Sequence, residues 1–71
     1  MFQWEYVSVF QISDGVFVIR LWMEDNDFFT VAGYNKIEIA LQQGIHIGKT
    51  MNIDVLDAAT DPRDSVWIEI V

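Results

Sequence analysis

The dipeptide Asp14-Gly15 lies between two stretches that are rich in β-branched and aromatic residues, Phe2 to Ile12 and Val16 to Glu24. A type I′ turn requires positive φ at both of its central residues, and Asp-Gly is among the dipeptides that adopt it most readily. The two stretches are therefore predicted to form a β-hairpin. This hairpin constrains the fold more than any other feature, because its register decides which side chains share a face.

The hairpin register predicts two faces of different character. When Ser13 pairs with Val16, one face is almost wholly apolar and is interpreted as the core side, with Tyr6, Ser8, Phe10, Ile12, Phe17, Ile19, Leu21 and Met23. The other face is half apolar. If this face is exposed, Val7, Val9, Val18, Trp22 and Trp67 form an outer patch rimmed by Glu5, Glu24 and Glu69. The alternative is that a packed helix or a closed barrel covers these positions. An exposed patch of this kind is typical of a binding or dimer surface.

The middle of the chain is less uniform. Residues 24–27 have turn composition, and residues 28–33 are predicted to continue the sheet as a third strand. Residues 36–43 are predicted to form a short helix, because Asn35 and Glu38 resemble a capping box and Gly44 is a natural helix stop. The alternation of Ile37, Ile39 and Leu41 leaves a hairpin as the alternative.

The last third of the chain reads as two strands, Thr50 to Leu56 and Ser65 to Val71, joined by an exposed loop over residues 57–64. Residues 1–71 are thus predicted to form a single domain of mostly β (α+β) class. Its element order is β-β-β-α-β-β, and its sheet is a five-stranded antiparallel sheet or a partly open barrel.

The charge of the chain limits its partners. Eleven acidic residues against four basic ones give a net charge of -7 on 71 residues, which disfavours direct binding to nucleic acid or to a membrane surface. The same charge favours a protein partner with a basic surface. The absence of cysteine and of a long apolar stretch is consistent with a cytoplasmic protein.

Motifs for catalysis, cofactors and metals are weak. The segment Gly44 to Thr50 has three residues between its glycines, where a phosphate-binding loop has four, and the glycines are interpreted as a turn. His46 has no charged neighbour in sequence that would make it a general base or a ligand. Asp25 and Asp27 match only the opening of a calcium loop. No catalytic, cofactor-binding or metal-binding residue is predicted, and the protein is predicted not to be an enzyme.

Two functions are consistent with these features. The first is a non-enzymatic, acidic protein-interaction module, a small inhibitor of the phage or mobile-element type that occupies the basic nucleic-acid-binding surface of a larger protein. Its predicted partner-binding residues are the acids of the two loops and two tryptophans: Glu24, Asp25, Asp27, Asp57, Asp61, Asp64, Trp22 and Trp67. The alternative is a structural β protein that forms a homodimer or larger homo-oligomer through its apolar outer sheet face.

Overall fold

The computed structural model describes residues 3–70, and it contains five strands and one helix. The elements follow in the order β1 (Trp4–Ser13), β2 (Val16–Met23), β3 (Phe28–Tyr34), α1 (Ile37–Met51), β4 (Asp54–Ala58) and β5 (Val66–Ile68). The predicted α+β class and element order are confirmed. Two strand ends proposed from the sequence, at Phe2 and Val71, lie outside the described residues.

The strands form one open sheet in the order β3-β2-β1-β4-β5, so the sheet is not closed into a barrel. Three of its four pairings are antiparallel, but β1 and β4 are parallel, which makes the sheet mixed rather than antiparallel throughout. The direction of β4 follows from the helix. β3 runs in the same direction as β1, and α1 carries the chain back across the sheet before β4 begins.

A turn lies at the predicted position, but its type and the register of the hairpin differ from the prediction. Ser13 pairs with Val16, and Gly15 has a positive φ of 69°. Asp14 is not among the residues with positive φ, so the predicted type I′ geometry, which needs positive φ at both central residues, is wrong. The register differs from the prediction by one residue. Beyond the turn, Ile12 is an additional residue in β1 with no partner in β2, so Val9 pairs with Ile19. A bulge of this kind reverses the faces of the residues beyond it, here from Gln11 back to Tyr6, and a second irregularity between Trp4 and Tyr6 shifts the register again.

The core side of β1 is consequently the opposite of the predicted one. Val7 and Val9 are fully buried, whereas the prediction assigned them to the outer patch. The inward positions predicted for β2 are correct at Ile19 and Leu21. The remaining core residues come from the helix and from the segment that contains β4: Ala40, Val55 and Ala59.

The helix is longer than the predicted segment 36–43, and Gly44 does not end it. α1 continues to Met51 and ends at Asn52, whose φ of 60° is left-handed. Ala40, Gly44 and Gly48 recur every four residues, and all three are buried against the sheet. They allow the helix backbone to approach closely, because a Cβ at Gly44 would lie only 2.6 Å from Cγ2 of Val9.

The two last strands are displaced from their predicted bounds. The predicted strand from Thr50 begins only at Asp54, because residues 50 and 51 still belong to the helix. β5 covers three residues within the predicted range of 65–71. Among residues 3–70, no helix combines the length and the apolar character that a bilayer crossing requires.

Candidate functional site

The face of the sheet opposite the helix is the candidate site. The helix covers only one face, so the side chains that alternate with the core residues are left on the other, which we call the open face. The strand registers assign to it Tyr6, Ser8 and Phe10 of β1, Val18, Arg20 and Trp22 of β2, Phe28 and Thr30 of β3, Asp54, Leu56 and Ala58 of β4, and Trp67 of β5. Val18, which was predicted to belong to an exposed outer patch, is on this face but is buried, with 5% exposure.

Four aromatic side chains cross the open face from one edge strand to the other. We call them the aromatic row: Trp67, Tyr6, Trp22 and Phe28. Tyr6 meets Trp67 edge-on with ring centroids 5.2 Å apart and stacks on Trp22 at 5.7 Å, and Trp22 contacts Phe28 at 4.9 Å. Trp67 is 53% exposed and Phe28 is 44% exposed. The row therefore presents aromatic surface to solvent at both of its ends.

A hydrogen bond fixes the central tryptophan of the row. The indole Nε1–H of Trp22 donates to Oγ of Ser8 over 2.8 Å, and Ser8 is itself buried. Burial, together with the negative charge of Glu5, raises the pKa of the Tyr6 phenol above its ordinary value of 10.0, at which it is already uncharged at neutral pH. The row is thus a neutral, ordered surface.

Arg20 lies beside the aromatic row. Its Cζ atom is 4.1 Å from the centroid of Phe28 and 4.6 Å from that of Phe10, distances at which the cation is attracted to the faces of both rings. Its Nε–H donates to Oγ1 of Thr30 over 3.3 Å. These contacts hold a positive charge in the middle of the sheet of an acidic protein.

A shallow groove of about 390 Å³ runs along the open face between β1, β2 and β4. Tyr6, Ser8, Phe10, Gln11, Arg20, Trp22, Leu56, Ala58 and Pro62 line it. Its walls are mainly aromatic and aliphatic, and Arg20 supplies a full charge. The arrangement can bind a ligand or a partner, and the described lining contains no pair of nucleophile and base that would indicate catalysis.

The first predicted acidic cluster forms the turn between β2 and β3. Asp25 caps this turn, since its Oδ1 accepts the backbone N–H of Asp27 over 3.2 Å. Asn26 has the left-handed φ of 65°. Glu24 and Asp27 are exposed there as well, so this turn presents three carboxylates to solvent.

The second predicted acidic cluster belongs to the end of β4 and the loop after it. Oδ1 of Asp57 accepts the backbone N–H groups of Ala59 and Thr60 over 3.0 Å each, and Oδ2 accepts the Thr60 hydroxyl. Partial burial would raise the pKa of Asp57, but these hydrogen bonds outweigh it and the pKa is lowered. Asp61 caps the backbone N–H of Arg63 in the same way, while Asp64 is exposed.

The two acidic clusters lie at opposite ends of the sheet. The turn over 24–27 follows β2, which is antiparallel to β1, so it lies at the end where β1 begins. β4 is parallel to β1, so its following loop lies at the end with the hairpin turn. The structure therefore brings Trp22 and Trp67 together through Tyr6, and it separates Glu24, Asp25 and Asp27 from Asp57, Asp61 and Asp64.

The other motifs singled out in the sequence belong to the helix. The segment Gly44 to Thr50 is helical and forms no turn or loop, and its two glycines face the sheet. His46 is exposed on the outer side of α1. Within residues 3–70, no three histidine, aspartate or glutamate side chains are grouped so that they could hold a metal ion.

Sequence reasoning missed most of the open face. Tyr6, Ser8 and Phe10 were assigned to the core, and Arg20 and Phe28 were given no role. The missing signal is the bulge at Ile12, which leaves no clear mark in the pattern of side chains. No family model, curated protein or solved structure matches the chain.

Proposed function

We propose that this protein is a non-enzymatic interaction module that docks its open face on the basic, nucleic-acid-binding surface of a larger protein and inhibits that protein. The aromatic row is the observation that carries the proposal. Aromatic side chains, tryptophan and tyrosine above all, contribute a disproportionate share of binding energy in protein interfaces. Here they are aligned on a face that the helix leaves uncovered.

The distribution of charge supports a basic partner. Acidic clusters lie at both ends of the sheet, and β2, with its eight residues at about 3.3 Å each, separates them by about 25 Å. A partner surface that contacts the whole open face would meet carboxylates at both ends. Such an arrangement steers association with a basic surface and competes with the phosphates of a nucleic acid.

The test is to capture the partner from the native host and then to measure its affinity for defined variants. Trp67→Ala removes an exposed ring of the row, and we expect it to weaken binding about tenfold or more. Asp27→Lys and Asp64→Lys reverse one charge at each end without removing a turn cap, and we expect weaker binding with a smaller salt dependence. Glu38→Lys makes the same charge change on the helix and serves as the control.

Nucleic acid supplies a second arm of this test. An inhibitor of the proposed kind is displaced when the nucleic acid recognised by the partner is added. The proposal would be contradicted by a captured partner that binds Trp67→Ala, Asp27→Lys and Asp64→Lys as tightly as it binds the Glu38→Lys control. It would also be contradicted by a partner that binds its nucleic acid and this protein at the same time.

A second candidate function is homo-oligomerisation through the open face, and the exposure of Trp67 and Phe28 favours it. Face-to-face stacking with aligned strands has an electrostatic cost, because both ends of the sheet are acidic and a parallel or an antiparallel arrangement of the two copies brings carboxylates near carboxylates. Sedimentation at several concentrations distinguishes the two candidates. A mass that rises to that of a dimer, and falls again in Trp67→Ala, would support self-association.

A further inference from the structure

The position of Arg20 differs from that of the other three lysine and arginine residues, all of which lie among the described residues. Lys36 and Lys49 are exposed at the start and near the end of the helix, and Arg63 is exposed in the loop after β4. Arg20 is half-buried in the second strand of the sheet, opposite Ser8. Its charge is held beside the groove by two phenylalanine rings rather than by a carboxylate of the described residues.

The hydrogen-bonding groups of Arg20 are only partly used. A guanidinium carries five N–H donors, and among residues 3–70 only the Nε–H has a protein acceptor, the hydroxyl of Thr30. The phenylalanine rings accept no conventional hydrogen bond. The two terminal nitrogens are therefore available to a ligand, and their fixed fork matches the two oxygens of a carboxylate.

The groove next to this charge has apolar walls. Tyr6 and Trp22 contribute stacked rings, and Leu56 and Pro62 contribute aliphatic surface on the other side. Its volume of about 390 Å³ lies near the lower end of the range for sites that bind small organic ligands. The apolar part of a ligand would contact these walls while its charged group reaches the guanidinium. The electrostatic attraction between the two charges is stronger where the rings displace water.

We propose that the open face binds a carboxylate carried on a small apolar body, with Arg20 holding the carboxylate and the groove holding the body. A free aromatic acid and the carboxy-terminal residue of a peptide both offer this chemistry. The site is a property of the chain alone, and it does not depend on the protein partner proposed above.

The experiment uses the full chain labelled with ¹⁵N and follows the side-chain signals of Arg20 Nε and Trp22 Nε1 by NMR during titration. Phenylacetate is the probe, and phenylacetamide, which has the same ring and no charge, is its matched control. N-acetylphenylalanine and its amide form a second pair that represents the end of a peptide. We expect saturable shifts at both side chains, and binding of each acid about tenfold or more tighter than binding of its amide.

Variants then assign the difference to Arg20. Arg20→Gln should reduce the affinity for each acid to the affinity for its amide. Lys49→Gln removes one cation from the helix, and it should change neither the affinity for the acid nor the affinity for the amide. If N-acetylphenylalanine binds more tightly than phenylacetate, the natural ligand is the carboxy-terminal residue of a peptide. If phenylacetate binds more tightly, the natural ligand is a free acid.

The wild-type comparison does not require the variant to fold. The proposal is overturned if acid and amide bind wild-type protein equally, if neither gives saturable shifts at Arg20 and Trp22, or if a folded Arg20→Gln protein keeps the preference for the acid.

Discussion

The close contact between the helix and the sheet at Gly48 gives a quantitative prediction for stability. A Cβ at this position would lie 2.6 Å from Cγ2 of Val55 and 2.9 Å from the carbonyl oxygen of Ile53. Ordinary contacts between carbon atoms are about 3.5–4.0 Å, so the helix would have to move away from the sheet by about 1 Å. Because one of the two neighbours is backbone, a change of rotamer alone cannot relieve the contact.

Two effects of Gly48→Ala oppose each other. Alanine in place of glycine favours the helix by about 1 kcal/mol. Overpacking of a close contact costs about 1–3 kcal/mol, and contact with backbone argues for the upper half of that range. We expect a net loss of about 1–2 kcal/mol in the free energy of unfolding, which lowers the Tm of a domain of this size by roughly 5–15 °C.

The measurement is urea and thermal unfolding followed by circular dichroism. Gly44→Ala should destabilise less, because its Cβ would meet only the Cγ2 methyl of Val9, which is a side chain. Gln42→Ala on the exposed side of the same helix is the control and should change stability little. A Gly48→Ala protein that is as stable as the wild type, or more stable, would refute the close-contact argument.

Two further predictions concern side-chain hydrogen bonds. Ser8→Ala should lower the free energy of unfolding, measured by urea titration, by about 1 kcal/mol, because it leaves the Trp22 indole N–H without its acceptor. Ser13→Ala, at the exposed end of β1, is the control and should change this free energy little. Because the folded-state pKa of Asp57 is lowered from its ordinary value of 3.8, its ionised form contributes stability that is present above that pH and is lost as the pH falls through the folded-state pKa. The Asp57→Asn protein should therefore be less stable than wild type at neutral pH, and it should lose less stability than wild type on acidification. Asp64→Asn is the control. An Asp57→Asn protein with the same dependence of stability on pH as the wild type would contradict this prediction.

The turn, the class and the element order were predictable because each depends on local signals. Asp14-Gly15 marks the position of the turn, although the predicted type I′ geometry is wrong, and the alternation in β2 correctly identifies Ile19 and Leu21 as inward-facing. The face of β1 was not predictable in the same way. Apolar residues occupy both the odd-numbered and the even-numbered positions of that strand, so either register would give an apolar core. The additional residue at Ile12 decides between the two registers.

The helix end was mispredicted because glycine has two structural uses. Gly44 and Gly48 were interpreted as helix stops or turn residues, whereas both allow close packing on Val9 and Val55. Their spacing of four residues from Ala40 is the sequence signal for that second use.

The candidate site was only partly predictable. Trp22 and Trp67 were correctly placed on the outer face, and Glu24, Asp25, Asp27, Asp61 and Asp64 were correctly placed in exposed turns and loops. Asp57 was predicted in the exposed loop over 57–64, but it lies within β4 and is half-buried. Whether those acids are adjacent depends on the direction of β4 relative to β1, which is a property of the crossover through the helix and not of any local segment. Arg20 was given no role because its partners, Phe10, Phe28 and Thr30, come from the two neighbouring strands and are distant in sequence.

The parallel pairing of β1 with β4 also determines the order in which the sheet can assemble. β1 is the middle strand, yet one of its two neighbours lies beyond the second hairpin and the whole helix in the chain. The first three strands can form a meander from local contacts, but one edge of β1 then stays unpaired until a long segment has closed. Until β4 pairs with it, the most central strand is an edge strand, and pairing with β4 both completes the core at Val55 and covers that edge against pairing with other chains.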